Sequence, residues 1–123
     1  MFSALLHTPT ELLVWAIVAH LAADWLFQTN WMAIHKTKLR HPASWVHAGV
    51  YTLFMAFLFP VSMALLIGVA HLLVDTRTPV RWWVRVVKGM PAGSPGLATV
   101  EMGVDQTIHV MVLAAAVLAM AVM

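Results

Sequence analysis

The chain has 123 residues, of which 62% are hydrophobic and 10% are charged, with a mean hydropathy of +0.86 and a net charge of +2. This composition lies far outside the range of soluble domains and predicts an integral membrane protein. The length predicts a single domain over residues 1–123, and the small charge excess argues against nucleic-acid binding. The sequence contains no cysteine, which excludes disulfides and thiolate metal ligands.

Prolines and charged links divide the chain into apolar segments. The first helix is predicted from about Glu11 to Trp31, with Thr10 as its N-cap. No Lys or Arg precedes this segment, so we expect it to be retained rather than cleaved as a signal peptide. The second and third helices are predicted over Ala43–Phe59 and Val61–Asp75, with Pro60 between them at an N1 position.

The second and third helices are short for a full membrane crossing. They could span a thinned bilayer or form a re-entrant hairpin, and the sequence leaves both arrangements open. A fourth helix is predicted from about Thr99 to the C-terminus. The expected fold is therefore all-α, a small transmembrane bundle of about four membrane-embedded helices.

A basic segment follows the third helix and is predicted to form one further helix. Its cations recur at spacings of four, four and three residues, with Val and Trp between them and Pro79 in the first turn. The cations are Arg77, Arg81, Arg85 and Lys88. This pattern predicts an amphipathic helix in the membrane interface, with its cations toward anionic lipid headgroups. A solvated anchor without a recognition role is the open alternative.

The distribution of basic residues predicts the orientation of the bundle. All seven Lys and Arg fall in two links, one after the first helix and one after the third. By the positive-inside rule both links face the cytoplasm. Both chain termini are then expected outside the cytoplasm, in a multi-pass protein of the cytoplasmic membrane.

Three predicted helices each carry a His and an Asp four residues apart, and the second helix carries a His near its start. The residues of this His/Asp layer are His20, Asp24, His47, His71, Asp75, Asp105 and His109. The order is reversed in the fourth helix, which runs in the opposite direction. Each Asp therefore lies nearer the cytoplasm, and each paired His lies about 6 Å deeper on the same helix face.

Burying aspartates inside a membrane costs free energy, so we expect the His/Asp layer to have a structural or functional role that offsets this cost. An Asp at the centre of a spanning helix is unfavourable by roughly 2.5–3.5 kcal/mol, so such residues usually face the bundle interior and pair there. Imidazole and carboxylate ligands suit Zn, with Mn or Fe as alternatives. Either one metal with a surrounding shell or two metals bridged by carboxylates would use these ligands. A metal-free hydrogen-bond network and a proton path are further alternatives.

Several segments together resemble a known family. The stretches HLAADWLFQTNWMAIHK, SWVHAGVY, HLLVD and DQTIH resemble the small bacterial and phage membrane proteins grouped as domain of unknown function 3307. Besides the His/Asp layer, the matching polar residues are Gln28, Lys36 and Gln106. The family commonly has a Lys shortly after the second His/Asp pair, where this chain has Arg77. The resemblance implies a bacterial inner-membrane protein and names no reaction.

The leading functional hypothesis is a metal-dependent intramembrane hydrolase that acts on an amphiphilic substrate near the cytoplasmic leaflet. The metal would generate a nucleophile from water, and one of Asp24, Asp75 and Asp105 would accept a proton. Gln28 and Gln106 are candidates for orienting a ligand or substrate, with buried packing as the alternative, and Lys36 and Arg77 are further polar residues of the predicted site. The alternative is a non-enzymatic membrane protein, either a structural or accessory subunit or an ion or proton carrier, that uses the layer for packing or metal binding.

Overall fold

The computed structural model describes residues 8–123, which contain helices and no strands. The helices are α1 (Pro9–Leu21), α2 (Asn30–His35), α3 (Pro42–Ala56), α4 (Val61–Asp75), α5 (Thr78–Trp82) and α6 (Leu97–Ala121). Two of them continue into a π-helical turn, α1 over Ala22–Leu26 and α5 over Trp83–Val87. The all-α prediction is confirmed. The prediction that the N-terminal segment is retained includes residues 1–7, which lie outside the described range.

The first predicted helix differs from the structure at both ends. Its N-cap is Thr8 rather than Thr10, because Thr8 and Glu11 form a capping box in which each side chain accepts the other residue's backbone N–H. The helix does not continue to Trp31. It ends after the π-helical turn, and α2 begins separately because the Thr29 hydroxyl accepts a hydrogen bond from the Met32 N–H and caps it.

Helices α3 and α4 form a closely packed hairpin. The bounds of α4 agree with the prediction, although Pro60 is its N-cap rather than its first residue. Gly68 of α4 lies directly against Thr52 of α3, and a Cβ at position 68 would overlap the threonine hydroxyl. That hydroxyl donates to the Ala48 carbonyl, which fixes its position. The glycine therefore allows the two helices to approach closely.

Two apolar clusters hold the remaining helices around this hairpin. The larger lies between α1, α3, α4 and α6 and includes Tyr51, Met55, Ile67 and Leu113. The smaller consists of Val74, Val80 and Val84 against the start of α6. It fixes α5 and its π-helical turn to the bundle, in the region for which the sequence predicts an interfacial helix.

The described residues contain one helix, α6, that is long and apolar enough to cross a membrane. A second candidate is α4 together with α5 and its π-helical turn, if the pair, bent by 54°, counts as one span. Helices α3 and α4 have 15 residues each, about 22 Å, which is shorter than the roughly 30 Å hydrocarbon core. A bundle of four membrane-embedded helices stays a prediction.

Candidate metal centre

The His/Asp layer is buried at the centre of the bundle. Its members come from α1, the first π-helical turn, α3, α4 and α6, and none is more than 2% exposed. Leu and Val side chains on the outer faces of the same helices are exposed, among them Val18 at 47%, Leu53 at 60% and Leu66 at 66%. The bundle thus carries ionisable groups inside and apolar groups outside, the reverse of a typical soluble domain.

Four side chains converge on one point, and we call them the four-residue group: Asp24, His47, His71 and Asp75. The His47 Nε2 atom lies 3.0 Å from Asp24 Oδ1, 3.0 Å from His71 Nε2 and 3.3 Å from Asp75 Oδ2. The His71 Nε2 atom lies 2.9 Å from Asp75 Oδ2 and 3.9 Å from Asp24 Oδ1. Metal bonds of 2.0–2.1 Å in a tetrahedron separate ligand atoms by about 3.3–3.4 Å. The observed distances lie around this value.

Hydrogen bonding within residues 8–123 satisfies both oxygens of Asp24 but not those of Asp75. Among the described residues, neither oxygen of Asp75 has a partner with hydrogen-bond geometry, although imidazole nitrogens lie close to Oδ2. A buried polar atom without a partner costs about 1–3 kcal/mol. A cation among the four ligand atoms would give Asp75 the partner that it lacks. The buried cluster could therefore hold a metal ion, and its chemistry fits one.

Packing orients the His71 ring. Tyr51 stacks on it with ring centroids 3.7 Å apart and an interplanar angle of 13°. The Nδ1 atoms of His71 and His47 have no hydrogen-bond partner in the described part of the chain, so stacking takes the place of the hydrogen bond that usually orients a ligand histidine. Sequence analysis missed Tyr51. Its available signals were its position four residues after His47 and its status as the only tyrosine.

A second group of possible ligands shares Asp24 with the first and adds Asp105 and His109. The His109 Nδ1–H donates to the Asp105 carbonyl at 2.8 Å, and this bond fixes the tautomer with an unprotonated Nε2. That Nε2 has no hydrogen-bond partner among residues 8–123 and lies 3.5 Å from Asp75 Oδ1. The ring is therefore arranged as a ligand histidine would be.

His20 belongs to neither group. Its Nε2–H donates to Gln106 Oε1 at 2.8 Å, and its Nδ1 accepts from the Tyr51 hydroxyl at 2.9 Å. The Gln106 amide in turn donates to Asp24 Oδ2 at 3.0 Å and to Asp105 Oδ2 at 3.1 Å. Both His20 nitrogens are thus engaged, and the ring acts on the carboxylates through Gln106. His20 was predicted as a metal ligand. In the structure Gln106 lies between His20 and Asp24 of the four-residue group.

Two cations also face the layer. Lys36 is 7% exposed, and its Nζ lies 3.3 Å from Asp24 Oδ1 and 3.7 Å from Asp75 Oδ1. The Arg77 Nε lies 4.0 Å from Asp105 Oδ1, so its side chain turns away from the basic stripe of which it was predicted to be a member. The remaining cations of that stripe, Arg81, Arg85 and Lys88, are exposed.

A cavity of about 190 Å³ opens beside the layer. Its lining residues are Asp24, Trp25, Gln28, Ala33, Lys36, Arg77, Met102, Asp105 and Gln106. The Gln28 Oε1 atom is buried and has no hydrogen-bond partner in the described residues. The four further polar residues predicted for the site, Gln28, Lys36, Arg77 and Gln106, therefore all line this one cavity.

The family model described as protein of unknown function DUF3307 matches residues 12–123. The chain belongs to the DUF3307 family. The resemblance seen in the sequence motifs is confirmed, and the match includes the entire His/Asp layer. The chain matches no curated protein and no solved structure.

Proposed function

We propose that this DUF3307 protein is a metal-dependent intramembrane hydrolase with a divalent ion in the four-residue group. The observation that supports the proposal is the convergence of four buried ligand atoms, two from histidines and two from aspartates, with 2.9–3.9 Å between the histidine nitrogens and their neighbours in the group. Two nitrogens and two oxygens in this arrangement suit Zn best, with Mn and Fe as alternatives. The second group, which shares Asp24, offers a place for a second ion.

The residues around the ion have separate roles in this proposal. A divalent ion held by these residues would supply Lewis acidity and would lower the pKa of a water molecule that it binds in addition to the four protein ligands. Asp24 and Asp75 serve as ligands, and Asp105, outside the four-residue group and on the cavity, accepts the proton. His20 and Gln106 are positioning residues, because they hold the second oxygen of Asp24 and one oxygen of Asp105.

The membrane setting is part of the proposal. The apolar outer faces of the helices and the basic links support a multi-pass protein of the bacterial inner membrane with both termini outside the cytoplasm. The cavity then opens near the cytoplasmic leaflet, where an amphiphilic substrate reaches it sideways. The exposed cations Arg81, Arg85 and Lys88 face anionic headgroups there, whereas Arg77 serves the cavity.

Hydrolysis by detergent-purified protein tests the enzymatic part. Micelles containing long-chain p-nitrophenyl carboxylic and phosphate esters provide a broad panel, assayed before and after chelation and after Zn is restored. We expect metal-dependent release of nitrophenol from one ester class, and a loss of about 100-fold or more in Asp105→Asn. Protein that contains metal and cleaves no ester of the panel would contradict the hydrolase.

A second candidate function is a non-enzymatic membrane subunit. It is favoured by the bonds that Lys36 and Gln106 make to Asp24, since a network of this kind can hold helices together without metal. An ion or proton carrier has less support, because the large cluster around Met55 and Leu113 on the outer side of the layer is apolar apart from the Tyr51 hydroxyl. A structural subunit keeps its thermal stability after chelation, whereas the metalloprotein loses stability.

A further inference from the structure

The cavity beside the metal centre contains two inward-facing cations, although the other five Lys and Arg side chains of the protein are exposed. Lys36 is 7% exposed, and the Arg77 side chain is 19% exposed. Removing a charge from water costs several kcal/mol unless partners compensate it. Lys36 and Arg77 approach the carboxylates from different helical segments, so the fold directs two separate cations to one cavity.

The backbone conformation at Arg77 is energetically unfavourable as well. Its φ is 66°, and it is the only non-glycine residue in the left-handed region within residues 8–123. This conformation costs an ordinary L-residue about 1–2 kcal/mol, and glycine would adopt it freely. The strained turn between α4 and α5 directs the guanidinium toward Asp105, where its buried Nε makes no hydrogen bond to any described residue. The turn thus presents an unused donor to the cavity.

The balance of charge changes when the site binds a metal. With all three carboxyl groups ionised, Asp24, Asp75 and Asp105 contribute three negative charges, and Lys36 and Arg77 beside them contribute two positive charges, which leaves one negative charge. Neutral histidine ligands add none, so one divalent ion converts this to one positive charge, and a second ion would raise the excess to three. A buried site with excess positive charge attracts an anion, because water screens it poorly.

We propose that the metal-loaded cavity binds the phosphate group of a phosphate ester between Lys36 and Arg77. This inference rests on the proposed metal site and names the substrate class of that site. Lys36 and Arg77 line the cavity, and an ion in the four-residue group would lie next to it at Asp24, the member of the group that lines the cavity. These would be three positive centres. A carboxylate has two oxygens for these three centres, whereas a phosphate monoester has three unesterified oxygens, and both side chains are suited to phosphate. The cavity, at about 190 Å³, far exceeds the roughly 10–15 Å³ that one water molecule needs.

Calorimetric titration of the full chain in detergent, loaded with Zn, tests the inference with inorganic phosphate as the probe and acetate for comparison. We expect phosphate to bind, acetate to bind at least about tenfold more weakly, and chelation to abolish phosphate binding. Lys36→Met and Arg77→Gln should each weaken phosphate binding by about 10- to 100-fold, the range for loss of one charge-assisted hydrogen bond. The exposed cations Lys38 and Arg40 provide the controls Lys38→Met and Arg40→Gln, which should change the affinity less than twofold.

Metal content, measured on every sample, separates the two proposals. Zn-loaded wild-type protein that does not bind phosphate, or that binds acetate equally well, overturns the phosphate inference and leaves the metal site intact. Protein that takes up no metal overturns both. If Lys36→Met or Arg77→Gln fails to fold, the wild-type comparisons of phosphate with acetate and of loaded with chelated protein still decide the question.

A second arm identifies the source of the phosphate. Nanodiscs containing phosphatidic acid present a phosphate monoester at the end of a lipid, and nanodiscs of phosphatidylcholine alone do not. Weaker binding of inorganic phosphate in the phosphatidic acid nanodiscs supports a lipid phosphate as ligand. Equal binding in both supports a soluble phosphate ester, and absence of binding in both overturns the inference.

Discussion

Gln106 offers a sharp test of how the metal centre is held together. Its amide donates to Asp24 Oδ2 and Asp105 Oδ2, and its oxygen accepts from His20 and, at 3.3 Å, from the Trp25 indole. Gln106→Leu keeps the approximate size of the side chain and removes all of these bonds. Loss of a group that orients metal ligands typically lowers metal affinity by 10- to 100-fold, or about 1.4–2.7 kcal/mol. We expect a loss in this range for Zn.

The measurement is a competition titration of Zn between the purified protein and a chromophoric chelator. Gln28→Leu is the matched control, because Gln28 lies on the same cavity and its Oε1 makes no hydrogen bond within the described residues. Its Zn affinity should stay within about twofold of wild type. Equal Zn affinities for Gln106→Leu and wild type, with both proteins folded by circular dichroism, would refute the reasoning that Gln106 positions the carboxylates.

Three further predictions concern stability. Gly68→Ala should lower the free energy of unfolding by about 1–3 kcal/mol because the new methyl group overlaps Thr52, whereas Gly49→Ala, on an open helix surface, should raise it by up to about 1 kcal/mol. Denaturant unfolding in detergent measures both changes, and equal effects at the two glycines would contradict the close approach of α3 and α4. Tyr51→Phe should cost about 0.5–1.5 kcal/mol, since it removes the hydrogen bond to His20 and keeps the stack, and an unchanged melting temperature would argue against that bond. Chelation should lower the melting temperature of the wild-type protein by several degrees, and added Zn should restore it.

Local signals in the sequence predicted part of the fold accurately. Pro60 separates two apolar runs, and the predicted bounds of α4 agree with the structure. The first helix was predicted as continuous because its apolar residues extend to Trp31. The structure interrupts it, since the Thr29 hydroxyl caps a new helix and the preceding turn is π-helical. The pattern of hydrophobic residues reveals neither a π-helical turn nor a break between two helices.

The candidate site was predictable in its composition but not in its pairing. The sequence pattern predicts the same role for His20 and His71, because each precedes an Asp by one helical turn. The structure distinguishes them: the His71 Nε2 faces His47, while both His20 nitrogens bind Tyr51 and Gln106. This difference depends on how each helix is rotated against its neighbours, which spacing along one helix does not determine.

The backbone turn that directs Arg77 inward was not predictable. Its spacing to Arg81 and Arg85 is that of one helical stripe, so the sequence predicted it toward lipid headgroups, although it was also counted among the polar residues of the site. The left-handed backbone conformation at residue 77 interrupts the helical register between α4 and α5. A non-glycine residue rarely adopts this conformation, so nothing in the local sequence indicated it.

The central claim is that the four-residue group holds a divalent ion, and elemental analysis of purified protein, with metal counted per chain, tests it most directly. We predict at least about one equivalent of Zn, Mn or Fe in wild-type protein, and a fall to about a tenth or less when His47 and His71 are both replaced by Ala. The same double replacement at His35 and His41, whose rings stack on each other outside the layer, should leave the metal content unchanged. Wild-type protein without metal, or equal metal in both double variants, would contradict the account.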